Sequence, residues 1–304
     1  MIPPERIHRL NERPMAKGAF VLYWMQASPR AECNMALEYA IDRANRLDIP
    51  VAAIFCLTGE YPDANLRHYN FLVEGLLEVK DALEARNVAF VLRRGSPPVE
   101  VADLAGDAAL VVADCGYLRI QREWRKAVAG MVGCPVTLVE DNVTVPVRAA
   151  SPKEEWSAAT FRKKIRPNIE RYREMIAQLH SLRPGGSLDL PSEPLESVEG
   201  VLEGLSIDRS VNPVPSHKGG SAEAHRRLSR FLKHGIDRFE EQRNDPTADA
   251  LSHMSPYLHF GQISPVDIAQ QVQRTRGAGV EAYLEELIVR RELAVNYVFY
   301  NPRY

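Results

Sequence analysis

Between Ala19 and Asp141, five short apolar runs alternate with segments of helical periodicity. The runs are Phe20–Met25, Val51–Leu57, Ala89–Leu92, Ala109–Ala113 and Val136–Val139. Each is almost continuously apolar, which suits strands covered on both faces better than the polar alternation of a half-exposed sheet. Helical patterns fill the gaps, at about Asn34–Leu47, Leu66–Arg86, Val99–Ala105 and Gln121–Met131. Strand and helix in strict alternation predict an α/β fold, a doubly wound parallel sheet of Rossmann-like type. Ligands of such sheets sit beyond the carboxyl ends of the strands. No Gly-x-Gly-x-x-Gly follows the first strand, so the ordinary dinucleotide fingerprint is absent.

The remaining chain changes character. Lys153 to Arg173 is helix-like and basic, with Arg162, Lys163, Lys164 and Arg166 close together. Such a run either is solvated or faces DNA or a neighbouring domain. Pro, Gly, Ser and acidic residues dominate from Pro184 to about Lys218, which reads as a linker. Helices follow to the end. The expected organisation is an α/β domain over 1–180, a linker over 181–215 and the first part of an all-helical domain over 216–304.

The net charge of -2 announces no general affinity for nucleic acid, so any attraction to DNA must come from a local patch. Cys33, Cys56, Cys115 and Cys134 form no Cys-x-x-Cys pair, and the pattern suggests neither a disulfide framework nor a metal site. Met1 to Gly18 has no apolar core of a signal peptide, and no stretch approaches a membrane span. The expected location is the cytoplasm, without membrane association.

Two runs near the C-terminus carry chemistry. In Ser252-His253-Met254-Ser255-Pro256-Tyr257-Leu258-His259-Phe260-Gly261, Ser255 and Pro256 read as the N-cap and first residue of a short helix. Gly261 suits a left-handed stop. Ser264-Pro265 opens a second helix, reaching about Arg276. Free N–H groups beside the Ser252 and Ser255 hydroxyls would seat a phosphate or diphosphate; alternatively these serines only cap. In Glu285-Glu286-Leu287-Ile288-Val289-Arg290-Arg291-Glu292-Leu293, the 3.6-residue period puts Glu286, Arg290, Leu293 and Tyr297 on one face. By itself that is a surface Glu–Arg pair.

Together these runs resemble the flavin domain of the photolyase/cryptochrome family, and within it the class II cyclobutane pyrimidine dimer photolyases. Arg243-Asn244-Asp245-Pro246, the Arg290–Ala294 run with Asn296, and Tyr300-Asn301-Pro302 carry the narrower likeness. So do Tyr23-Trp24-Met25 with Arg30, and the stretch from Ser151 to Ile165. The resemblance runs from about residue 20 to the last residue.

What the resemblance implies is a light-driven lyase that splits cyclobutane pyrimidine dimers by electron transfer from reduced FAD, on a dimer flipped out of the duplex. It places Ser252, His253, Met254, Ser255, Arg290 and Phe239 against FAD. Glu286 would hydrogen-bond the dimer, with Glu285 the alternative by a one-residue shift of register. Arg243 and Asn244 would meet DNA, with Asn296 and Arg291 as weaker candidates. Phe239 stands where many relatives have a flavin-side tyrosine, and Val289 where many have a dimer-stacking tryptophan. A second, antenna chromophore of unknown identity is implied for the α/β domain, and a monomer acting on dimer-containing DNA. Relatives continue past the equivalent of Tyr304, so the expectation is an incomplete helical domain that binds FAD poorly by itself. Trp24, Trp124 and Trp156 all precede the flavin region and are not the family's electron-transfer chain. The alternatives are a cryptochrome-type photoreceptor without repair, or a nucleotide-binding α/β module.

Overall fold

The structure is a computed structural model that describes all 304 residues. Six strands form one sheet: β1 (Ile7–Arg9), β2 (Phe20–Trp24), β3 (Val51–Leu57), β4 (Val88–Arg94), β5 (Ala108–Asp114) and β6 (Val136–Val139). Their spatial order is β1-β6-β5-β2-β3-β4. Strands β2 to β6 are parallel, and β1 joins the β6 edge antiparallel, with Ile7 opposite Val139. All five expected strands are present within two residues at either end. Strand β1 has only three residues and no apolar run, so the pattern gave no sign of it.

The helices between strands are α1 (Met35–Leu47), α2 (Leu66–Glu84), α3 (Pro97–Leu104) and α4 (Arg119–Met131). Helices α1 and α2 pack with Val21, Tyr23 and Ala53 on one face. Helices α3 and α4 pack with Phe20, Leu22 and Trp24 on the other. This is double winding, and the order reverses between β2 and β5, which sets the switch point.

Short α5 (Val147–Ala150) and basic α6 (Ala158–Tyr172) follow. Helix α6 packs with the helical part through Phe161 and Ile165, so its contacts lie across the expected boundary at 180. The Pro-rich segment is docked along its length. Gly185 N–H donates to Asn87 O, Glu193 N–H to Leu92 O, and α7 (Val198–Glu203) buries Val201 and Leu202 on the α/β core. It therefore covers the β4 edge, which would otherwise present unpaired backbone.

The helical part comprises α8 (Ser221–His234), α9 (Ile236–Gln242), α10 (Ser255–His259), α11 (Pro265–Arg274), α12 (Val280–Leu284) and α13 (Arg291–Tyr300). Gly261 is left-handed at φ +69°, as its place after α10 suggested, and the chain passes so close to Ala27 that a Cβ would meet the Ala27 carbonyl. The 3.6-residue period expected through Glu285–Leu293 is interrupted: residues Glu285–Arg290 form a π-helical turn between α12 and α13. No helix is long and apolar enough to cross a membrane.

Arg30 fastens the two parts together. It is 1% exposed and pairs with buried Asp141. Its Nη1 also donates to Asn142 Oδ1 at 2.8 Å and to the Gly261 carbonyl at 2.9 Å. Removing one member of a buried pair strands the other charge, at about 3–5 kcal/mol. Arg30→Ala should therefore lower unfolding free energy by roughly that amount in denaturant titration. A loss below about 1 kcal/mol, the range of a surface pair, would show that the pair does not hold the two parts together.

Candidate active site and ligand cavity

Two regions stand out. The first is a cavity of about 950 Å³ beyond the carboxyl ends of the strands, between the switch point and α10 and α13. Asp114, at the end of β5, shapes its floor. This buried carboxylate accepts hydrogen bonds from the N–H groups of Gln26, Ala27 and Ser28 and from the Tyr23 hydroxyl. The loop after β2 is thereby drawn into a tight arc. Tyr61 and Trp124 meet edge-to-face, with ring centroids 6.0 Å apart, on the cavity wall. Burial pushes the Cys115 thiol up to about 12, so this part of the wall stays neutral at physiological pH. Apolar surface predominates in the cavity lining, interspersed with polar side chains such as Gln26, Gln121, Asn142 and Arg291, and its size suits a small organic ligand.

The second region lies on the helical part. Arg243, the C-cap of α9, approaches Glu286 at 3.7 Å and lies over the Phe239 ring at 5.8 Å. Phe239 packs against Phe231 and Tyr283, and the Tyr283 hydroxyl donates to Ser252 Oγ at 3.0 Å. Arg243, Phe239, Tyr283 and Ser252 thus form one contiguous set. Ser252 accepts two hydrogen bonds, the second from Met254 N–H, and uses its own proton in none. His253 holds φ +56°, a strained conformation for a residue with a side chain.

The expected site residues divide. Glu286 and Arg243 come together, with Phe239 buried beneath them. Glu286 is 43% exposed at the side chain. Asn244 is exposed next to Arg243. Met254 is buried in the helical core. Ser255 is the first residue of α10, not its cap, and lines the large cavity instead of joining Ser252. The register through Arg290 also differs from expectation. A π turn brings residues five apart into line, so Arg290 Nε lies 3.8 Å from Glu285 and not over Glu286. Glu285 is already held by Arg162, whose Nε lies 3.1 and 3.0 Å from its two oxygens, and by Arg166 at 3.5 Å. The basic face of α6 is thus partly spent on the helical part.

The weaker candidates act as fasteners. Asn296 accepts from Glu155 N–H and donates to the Lys153 carbonyl. Arg291 donates to the Asn142 carbonyl and lines the cavity, and Glu292 accepts from Thr144 and Val145 N–H. Helix α13 so clamps the segment that follows β6. Pattern reading missed Asp114, although an acid ending an apolar strand at a switch point is a signal that could have found it.

This arrangement, a Rossmann-like domain capped at its switch point by a helical part, is the fold of photolyases and cryptochromes. A cryptochrome of Synechocystis sp. PCC6803 superposes with a TM-score of 0.73 at 17% identity, covering 92% of this chain and 61% of its own. A photolyase of Sulfolobus tokodaii, described with two FAD molecules, also gives 0.73 at 18% identity, over 93% of this chain and 60% of its own. The DNA photolyase family profile matches residues 21–182. The deoxyribodipyrimidine photo-lyase of Methanothermobacter thermautotrophicus is 45% identical over the whole chain and 67% of its own length. That of Potorous tridactylus is 34% identical over 94% of this chain and 54% of its own. The chain belongs to the DNA photolyase family. It spans between about half and two thirds of the length of these two curated relatives.

The neighbouring carboxylates should behave differently. Hydrogen bonding from Arg162 holds the Glu285 carboxyl below its ordinary range. Its stabilisation is complete above the unfolded value of about 4.3 and is lost as pH falls through the lowered folded value. Partial exposure discounts the magnitude, so Glu285→Gln should cost about 1 kcal/mol at neutral pH. Glu286→Gln should stay within about 0.5 kcal/mol. Urea titrations at neutral pH and at pH 3 check this; equal losses at neutral pH, or a Glu285→Gln gap that does not narrow in acid, would contradict it.

Proposed function

We propose that the protein is a class II-type cyclobutane pyrimidine dimer photolyase that uses FAD and light to split the dimer. The observation that carries this reading is the pairing of half-exposed Glu286 with Arg243 at 3.7 Å, beside Ser252, in a chain of this family. Glu286 is not locked into a bidentate pair, so it is available to hydrogen-bond a flipped dimer and stabilise charge placed on it. Arg243 lies beside Glu286 and offers a cation where a flipped nucleotide leaves the stack, and Asn244 adds an exposed amide beside it. The residues present fit a flavin: Ser252 retains a free hydroxyl proton, His253 turns the chain sharply, and Phe239 and Tyr283 supply an apolar floor. FAD, when bound, supplies the photochemistry.

Class II membership is supported by Arg243-Asn244-Asp245-Pro246 and Arg290-Arg291-Glu292-Leu293-Ala294, whose Arg291 and Glu292 clamp α13 to the α/β domain. The cavity at the switch point would hold the antenna chromophore. A cryptochrome shares this fold, so the deciding test is catalytic. FAD-loaded protein with reduced flavin should remove dimers from ultraviolet-irradiated thymidylate oligonucleotide under blue light and not in the dark, as followed by recovery of thymine absorbance. Unchanged dimers after illumination, with reduced FAD demonstrably bound, would contradict repair and leave a photoreceptor.

A further inference from the structure

A smaller cavity of about 430 Å³ adjoins the large one. Cys115, Gly116 and Tyr117 line both. Four cations line the smaller one: Arg122, Arg125 and Lys126 from α4, and Arg148 from α5. No carboxylate lines it. Glu140 lies behind Tyr117 and is already satisfied by the Tyr117 hydroxyl, the Val147 N–H and His8. Glu123 of α4 is exposed and outside the lining.

Two of the cations have an ordinary explanation. Arg122 and Arg148 lie over the Phe299 ring at 5.4 and 5.6 Å, and Arg122 also donates to the Phe299 carbonyl. Arg125 has none. It is 5% exposed, forms no ion pair, and its one hydrogen-bond partner is the neutral side-chain oxygen of Gln26, itself on the wall of the large cavity. Buried charges are ordinarily paired, because desolvation is costly without a counter-charge. Three further cations around the same space raise that cost.

We propose that this basic side pocket receives the anionic tail, a phosphate or carboxylate, of the chromophore whose ring system fills the large cavity. The proposal rests on the antenna reading above. The ring is held by apolar walls, and the tail passes by the Cys115–Tyr117 segment to supply the counter-ion that Arg125 lacks.

FMN and riboflavin share one ring system and differ by the terminal phosphate. With the FAD-loaded full chain, titration of each, followed by flavin fluorescence, should give at least tenfold tighter binding of FMN at low salt. The advantage should shrink as salt screens it. Arg122→Ala/Lys126→Ala, both exposed, should remove the FMN advantage while riboflavin affinity stays. Ala294→Trp, at the wall of the large cavity, should abolish binding of both. Arg125→Met should bind the two equally and melt no lower than the parent, since it removes an uncompensated buried charge. Equal affinity in the parent, or an FMN advantage that survives the double variant, overturns the proposal. So does a double variant that loses affinity for duplex DNA with its FMN preference intact, which would assign the pocket to nucleic acid. Binding of neither flavin to the parent overturns the antenna reading itself.

Discussion

The buried Arg30 side chain is the constraint on which the rest depends. It joins three segments distant in sequence: the loop after β2, the Asp141-Asn142 turn after β6, and the end of α10 at Gly261. The left-handed turn at Gly261, pressed against Ala27, is possible only for a residue without a side chain. Helix α13 adds a second fastening through Arg291, Glu292 and Asn296. The switch-point cavity exists because these contacts hold α10 and α13 over the strand ends at fixed distance. A chromophore there and a flavin on the helical part would keep a fixed separation and orientation.

The parallel strands and their helices were legible because a sheet buried on both faces must be apolar along its length. Strand β1 was not legible. It is a three-residue edge strand whose place is set by pairing with β6 and by Arg6, which donates to the carbonyls of Glu140, Val143 and Thr144. The Pro-rich segment read as a linker because its composition is that of a loop. Its docking depends on backbone bonds to the β4 edge, which composition does not encode. Nothing in the pattern of α6 reveals that its basic face meets Glu285, since the partner lies more than a hundred residues away.

At the site, residue types were legible and geometry was not. Glu285 and Glu286 are adjacent and chemically identical, so sequence alone leaves their roles interchangeable. The π turn separates them by directing Glu285 into Arg162, Arg166 and Arg290 and leaving Glu286 beside Arg243. The energetic cost of a π turn is commonly retained at functional positions. Here it converts a helix face into two carboxylates with different surroundings. The 252–255 pattern allows either one phosphate seat or simple capping; in the structure Ser252 faces Tyr283 and Ser255 the cavity, because α10 begins one residue earlier than its serine cap predicts.

The central claim, that Glu286 and not Glu285 serves the dimer, is tested most directly by the yield of dimer splitting per absorbed photon in FAD-loaded Glu286→Gln and Glu285→Gln proteins. The account predicts a severalfold loss of yield for Glu286→Gln, with FAD content unchanged, and a yield near that of the parent for Glu285→Gln. A full yield in Glu286→Gln together with a collapse in Glu285→Gln would contradict it.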